Sequence, residues 1–597
     1  MGESRKIPFW MVLIVCIGVA AVLAAAGSDV ALASAQDADT PEIPFVDGAP
    51  VTPAVRPVIV LSGTDYDMGY QHYQQLAQIF GTYPFEAMQR TFTDEELVTL
   101  KAHQWYIKEY TPELIEQFKG MAQAATDAGV PLSYAEVLAN KTTLASYPGT
   151  EPEGSADDEL PPTGGCSGFA AWGSTTRDHK LIASGSVDHE NLVESYLLVV
   201  FPETGNDFVI SSFELDSHGS HPGMNDKGLC YVHHGAGLAL NEQAGYATCS
   251  GRGGTEFYVL HTLRFADNAA QAKQMQLDYP SGARSRGLWA DTSGDAFDIE
   301  SRDPQTIRLA GENGEKDFLY ATNNCLTKKI TPTEDQAVLA KYFGWDIKYV
   351  RHGGWTAMDE DAVRRNLLIW NMLYNYRGKV DLDFVKMMWR FPGRMPKYPS
   401  LEAADAGMYE NQSAGWDSKI CALGNATIGI CLPDDGDNGL FYTSNGTVSR
   451  RANAQCPDYY YFTPGATHTF YEVQLADNAA DVVAAAQHRA MYNMAYANIQ
   501  LRKLTYSDTA FELLTELFDK AAEQWDKGDY YLGLAEKTAG NESVANYAKA
   551  LRGFTACQAR ANQVYEALAG APDTPTDLGL RKYWGTWGTW SSYLGSH

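Results

Sequence analysis

Helical periodicity dominates both ends of the chain, and strand-like apolar runs fill the middle. In "RPVIVLSGTDYDMGYQHYQQLAQIF", from Arg56 to Phe80, a short apolar run reaches a glycine turn and passes into a mixed pattern. It predicts a strand, a turn and a helix. "DEELVTLKAHQWYIKEYTPELIEQFKGMAQAATDAG" is helical, with Pro112 near a helix start, and "SYAEVLANKTTLA" adds another helix capped by Ser133. "YPGTEPEGSADDELPPTGG" carries proline, glycine and acids without periodicity and predicts a loop.

After this loop the pattern changes to strands. "GFAAWGS", "KLIASGSV", "SYLLVVF", "DFVISSFE" and "GLCYVHHGAG" follow one another with turn residues between them. Helices are expected around Thr255–Ala266 and Asn268–Leu277, then a hairpin in "GLWADTSGDAFDIES" turning at Ser293-Gly294. Further strands surround "KDFLYATNN" and "KICALGNATIGICLPDDGDNGLFYTSNG". From about Asp477 to Gly570 the chain reads as three or four helical segments, followed by a Trp/Tyr-rich tail at 571–597. Helices, an antiparallel strand series with an inserted helix pair, and helices again predict an α+β fold of stacked sheets flanked by helices.

Length and charge narrow the partners. The chain has 597 residues, enough for a large core, and a net charge of −28. Such a surface repels nucleic acid and anionic membranes, and it also simply keeps a protein soluble. Arg5 and Lys6 precede an apolar run from Ile7 to Ala26, and Ala33-Ser34-Ala35 fits a small-residue cleavage site. The expectation is a signal peptide at 1–35, export to the periplasm or beyond, and no stable membrane association after cleavage. An uncleaved anchor is the competing reading, because the run is nearly long enough to span. Eight cysteines follow: 166, 230, 249, 325, 421, 431, 456 and 557. An exported protein can oxidise some of them, but their connectivity is not legible in sequence.

Cys166 stands alone after Gly164-Gly165 at the start of an expected hairpin. A small core cysteine after a glycine turn is the ordinary reading. The functional one is a nucleophile. Its neighbours His179 and His189 lie across expected turns, so no histidine is placed to deprotonate it. An N-terminal cysteine needs none, since its own α-amine, titrating near ~8, can take the thiol proton. That requires a cut before Cys166, and glycine leaves its carbonyl open to attack.

Several stretches carry a family resemblance. "SGTDYDMGYQHYQQ", "TPELIEQFKGMAQAATDAGVPLSYAEVLANK", "GGCSGFAAWGSTTRDHKLI", "HPGMNDKGLCYVHHG", "LWADTSGDAFDIES" and "YATNN" resemble, in that order, segments of the N-terminal-nucleophile hydrolases. The group is that of isopenicillin-N acyltransferase and the linear-amide hydrolases, with bile-salt hydrolase and penicillin V acylase as cousins. The resemblance runs from about Val58 to Thr447. It implies a four-layer αββα sandwich and a cut between Gly165 and Cys166. The parts would be a signal peptide at 1–35, a pro-region at 36–165, a core at 166–465 and a helical extension at 466–597. It implies no cofactor and no metal, a small acyl-amide substrate, and hydrolysis or acyl transfer through a thioester on Cys166.

The resemblance also assigns roles. Asp188, ten residues after Asp178, would hold the new α-amine by a charge-assisted hydrogen bond. Asn323 would bind the oxyanion, with Asn324 as the alternative. His234 or a backbone amide of its strand would supply a second donor, and Arg364 would match a later structural arginine. Many relatives carry Arg-Asn where this chain has Gly185 and Ser186. That departure bears on the substrate.

Rival readings remain. His218, His221, His233 and His234 with Asp216 suggest a metal cluster, but "SHGSHPG" reads as a loop without helical His spacing. "DDGDNG" at Asp434–Gly439 faintly suggests a calcium loop, yet lies between two expected strands. A phospholipase-B-like ester hydrolase and an inactive binding protein of the same fold are the alternatives in function. The C-terminal helices and "YWGTWGTWSSYL" read as packing elements or a homo-oligomer surface.

Overall fold

The computed structural model describes residues 45–46, 49–50, 55–142, 165–188, 195–212, 220–233, 255–279, 287–302, 305–312, 314–322, 365–366, 369–370, 372–390, 425–447, 470–502 and 508–569. The expected signal segment, most of the acidic loop before Cys166 and the aromatic tail lie outside them.

The amino-terminal third follows its capping chemistry. Strand β1 (Val58–Gly63) leads through Thr64 into helix α1 (Asp65–Phe80), and the Thr64 hydroxyl accepts from the Asp67 amide. After the one-turn α2 (Tyr83–Glu86), helix α3 (Asp94–Tyr110) starts with a capping box between Thr93 and Glu96. Helix α4 (Glu113–Asp127) starts directly after Pro112. Helix α5 (Tyr134–Lys141) repeats the box with Ser133 and Glu136.

The middle is mostly strands: β2 (Gly165–Ala171), β3 (Ile182–Asp188), β4 (Tyr196–Pro202), β5 (Phe208–Ser212), β6 (Ser220–Asn225) and β7 (Cys230–His233). Helices α6 (Thr255–Phe265) and α7 (Ala269–Asp278) interrupt the series. Then come β8 (Gly287–Ala290), β9 (Ala296–Arg302), β10 (Gln305–Leu309), β11 (Phe318–Ala321), helix α8 (Leu382–Arg390), β12 (Asn425–Leu432), β13 (Leu440–Thr447) and β14 (Tyr471–Gln474). Three long helices close the described chain: α9 (Ala479–Leu501), α10 (Asp508–Ala535) and α11 (Gly540–Ala569).

Two sheets result. One has eight strands in the order β10-β9-β8-β7-β6-β5-β4-β1, the other six in the order β11-β2-β3-β12-β13-β14. Every pairing within them is antiparallel except β1 with β4, where Val58 lies opposite Leu197. A parallel pair needs a crossover, and the helices α1–α5 with the β2–β3 hairpin supply it. The fold is mixed α and β, as the order of elements predicts.

Side-chain alternation divides the interior. On β4, Leu198 and Val200 pack with helices α1, α3–α7, whereas Leu197 and Val199 join a core shared with Ala170, Ala183 and Cys431 of the six-stranded sheet. On the far face of that second sheet, Phe169, Ile182 and Ile430 pack with Trp370, Phe384 and Met388.

Two expectations are corrected. "SHGSHPG" is not all loop: from Ser220 onward it is β6, whose residues need backbone partners from β5 and β7. The region after residue 466 is not purely helical either. β14 completes the six-stranded sheet, and Glu472 N donates to Gln558 Oε1 on α11 at 3.1 Å. Arg552 of α11 donates to the Val58 carbonyl at 3.1 Å. The terminal helices thus pack against the edge strands of both sheets and join their shared buried cluster.

Candidate active site

Cys166 sits near the start of β2, on the hairpin with β3. The register sets Gly165 opposite Asp188, Cys166 opposite Val187 and Gly168 opposite Gly185. Ala170 belongs to the core between the sheets and Phe169 to the core on the outer face. Alternation therefore puts Cys166, Gly168 and Ala170 toward the eight-stranded sheet, and Ser167 toward the outer helices. Cys166 carries a thiol and is partly exposed.

The outer face locks the hairpin with polar groups. Arg365 is 2% exposed, and its Nη1 donates to the Cys166 carbonyl at 2.8 Å and to Ser167 Oγ at 2.7 Å. Trp389 Nε1 donates to Ser184 Oγ at 2.7 Å, and that hydroxyl donates to the Gly429 carbonyl at 2.8 Å. A guanidinium is less strongly hydrated than an ammonium and has a rigid donor fork, which suits it to such a buried position. The effect is to fix the backbone on the carboxyl side of Cys166.

The inner face is closed by contact with β7. A Cβ at Gly168 would lie 2.1 Å from Val232 Cγ1, and one at Gly185 2.7 Å from the same atom. Only glycine admits Val232 this close. A Cβ at Gly185 would also lie 3.4 Å from His221 Nδ1. The His221 and His233 rings are 5.2 Å apart, and Tyr231 Oη lies 3.1 Å from His233 Nδ1. Tyr231 belongs to the helix-facing core, on the other face of β7 from Val232, so of this group it is His221 that lies beside the inner-face glycine Gly185.

The residues expected from sequence distribute as follows. Asp188 ends β3, paired through the backbone with Gly165 on one side and Ala426 on the other. β11 ends at Ala321, opposite Gly168, and is followed by the buried Thr322; Asn323 and Asn324 lie outside the described residues. His234 lies just outside too, after His233 at the end of β7. Arg364 is outside as well, and its neighbour Arg365 makes the contact with Cys166. Asp178 and His179 occupy the far turn of the hairpin, where His179 adopts φ 67° and its Nδ1 lies 2.8 Å from the Gly173 carbonyl.

Of the suggested metal cluster, His221 and His233 are adjacent, while Asp216, His218 and His234 lie outside the described residues. Among the described residues, no group of three or more His, Cys, Asp or Glu is arranged to hold a metal ion. The Asp434–Gly439 segment is the turn between β12 and β13. Lys180 Nζ pairs with the Asp435 carboxylate there and donates to the Asp434 carbonyl at 3.3 Å.

Sequence reasoning missed Arg365 and Tyr231, and named His233 only as part of the suggested metal cluster. The adjacent arginines were visible, but that Arg365 contacts Cys166 depends on how its segment sits against the sheet. No protein-family model matches the chain, and no curated protein is similar to it.

Proposed function

We propose that this chain is an exported, self-cleaving cysteine hydrolase or acyltransferase acting on a linear amide, with Cys166 as nucleophile. The layer order in this reading is helices, eight-stranded sheet, six-stranded sheet, helices. The observation that carries it is the arrangement around one peptide bond. A partly exposed Cys166 follows Gly165 at the head of a hairpin strand, Asp188 pairs across from that glycine, and Arg365 holds the Cys166 carbonyl.

In the precursor, the Cys166 thiol attacks the Gly165 carbonyl carbon. The C–N bond breaks as the C–S bond forms, leaving a thioester and a free Cys166 amine. Water then hydrolyses the thioester and releases the Gly165 carboxylate. In turnover the α-amine takes the thiol proton, and the thiolate attacks the substrate carbonyl. Asn323 and a donor from residues 232–235 hold the oxyanion. The leaving amine carries off the proton, and water or a second amine resolves the thioester. Asp188 holds the ammonium form of the new N-terminus.

The test is the N-terminal sequence of the larger fragment, followed by incubation with N-acyl amino acids, β-lactam amides, N-acyl amines and acyl esters. Cleavage at Gly165-Cys166 and an acid-trapped acyl group on Cys166 are expected. An intact chain that still hydrolyses amides overturns the proposal. So does activity abolished by EDTA and restored by zinc, which would favour the histidine cluster. Preference for esters would turn it toward the phospholipase-B-like reading.

A further inference from the structure

Arg308 reaches from one sheet to the other. It belongs to β10, the edge strand of the eight-stranded sheet, and β11 is the edge strand of the six-stranded sheet. Arg308 lies opposite Asp298 of β9, two positions from Ala296 of the core between the sheets, so it points inward across the gap. The two edges are close there: Cα atoms of β9 and β11 come within 8 Å of one another. The side chain is sealed from solvent at 3% exposure. Its Nη2 donates to the Tyr320 carbonyl of β11, and its Cζ lies 5.2 Å from the centroid of the Tyr320 ring.

Three carboxylates hold this guanidinium. Nε donates to Glu300 Oε1 at 2.9 Å, Nη1 to Glu315 Oε1 at 2.5 Å and Nη2 to Asp298 Oδ2 at 3.4 Å. One carboxylate would be enough to pair the charge. A partner on each nitrogen also fixes the plane of the guanidinium, and with it the direction in which Nη2 meets β11. An edge strand has a partner strand on one side only, so a buried one needs donors from outside its sheet.

We propose that Arg308 is a positioning residue for the Cys166 site: it sets the place of β11, and β11 supports the nucleophile strand β2 on the side away from β3. Tyr320 lies opposite Phe169 and Ala321 opposite Gly168. The strands are antiparallel, so each step along β11 is a step along β2 toward Cys166, and the buried Thr322 comes next. Arg365 holds β2 directly, through the Cys166 carbonyl and Ser167 Oγ, whereas Arg308 holds it through the neighbouring strand. The inference rests on the hydrolase reading, in which the oxyanion donor directly follows Thr322. A shift of about 1 Å at such a place can cost about 10²-fold in rate.

The experiment compares Arg308→Lys with wild type and with Arg56→Lys. Lysine keeps the charge but has no planar fork to engage three carboxylates and a carbonyl together. Arg56 is an equally buried arginine beside β1, at the opposite edge of the eight-stranded sheet, and donates to Ser211 Oγ and to the Ser212 carbonyl, each at 2.7 Å. Rates are counted per Cys166 that takes up an acid-trapped acyl group, so loss of folded protein does not enter. Arg308→Lys is expected to lower kcat about 10- to 100-fold with KM within about twofold, the mark of an interaction lost in the transition state. Arg56→Lys is expected to lower Tm and leave kcat unchanged. Glu315→Gln, which keeps the arginine, should lower kcat at least about threefold with the same KM pattern, and it decides the matter if Arg308→Lys does not fold. Unchanged kcat in these variants overturns the proposal. So does an equal loss in Arg56→Lys, which would make the effect one of general stability. A wild-type chain that forms no acyl-enzyme on Cys166 overturns the hydrolase reading itself, and this proposal with it.

Discussion

Arg365 donates to the carbonyl oxygen of Cys166 at 2.8 Å from a nearly sealed position on the outer face of the sheet. The side chain of one residue thereby fixes the backbone of the other, on the face opposite the thiol. Arg365→Ala would strip this contact and the one to Ser167 Oγ. Hydrogen bonds to charged groups are each worth about 1.5–3 kcal/mol. The expected result is at least a tenfold slower conversion to two chains, followed by gel electrophoresis, with a lowered Tm. Arg365→Lys keeps the charge but not the fork, so it should recover only part of the rate.

The nucleophile and its partners separate by their readouts. Cys166→Ala should remain one chain. Asn323→Ala should mature yet turn over about 10²–10³ times more slowly, the usual cost of one oxyanion donor. Asp188→Asn should impair both steps, because the residue pairs across from the scissile bond. Fragment analysis and acyl-enzyme trapping distinguish the three outcomes, and an Asn323→Ala enzyme with full turnover would remove that residue from the mechanism.

Val232 is the counterpart of two missing side chains. Gly168→Ala should destabilise the protein, since its new methyl would sit 2.1 Å from Val232 Cγ1. Overpacking of this kind costs about 1–3 kcal/mol. Val232→Ala should relieve it, so the double variant should lose less than the sum of the single losses in a thermal-melt cycle. Additive losses would show that the clash is absorbed elsewhere.

Acid should destabilise the fold through two histidines. His72, with Nε2 2.9 Å from Tyr196 Oη, is lowered to about 3 by burial and then by Lys141; His103 is lowered to about 4 by burial. Unfolded histidine titrates near 6.5, so the unfolded chain binds more protons below that pH, and each site loses up to about 1.4 kcal/mol per pH unit down to its folded value. Asp207 opposes them. Burial and the Asp226 charge raise it to about 7, so its stabilising effect is present in acid and is lost as pH rises toward 7. Two sites against one leave a net fall in Tm from pH 6.5 to 4.5. In the His72→Gln/His103→Gln variant the slope should reverse, with Asp207 alone remaining; an unchanged slope would mean that neither histidine controls it.

Much of the fold is written locally. Ser133 and Thr93 cap helices because a hydroxyl three residues before a glutamate satisfies both ends of the box. Ser293-Gly294 turns a hairpin because Gly294 takes φ 84° without a Cβ penalty. The Gly-Gly-Cys stretch marks Cys166 as the residue to examine, and alternation along β2 and β3 assigns each side chain a face. What local pattern cannot supply is contact between segments far apart in the chain. β1 pairs in parallel with β4 across more than a hundred residues. "SHGSHPG" lacks strand signals, and becomes β6 because neighbouring strands offer it backbone partners. Arg365 reaches Cys166 because of how one short segment sits against the outer face of a sheet. Cys230 and Cys431, far apart in the chain, share one buried core because two sheets close on each other. Spacing along the chain carries no trace of that closure, which comes from burying the inner faces of both sheets together.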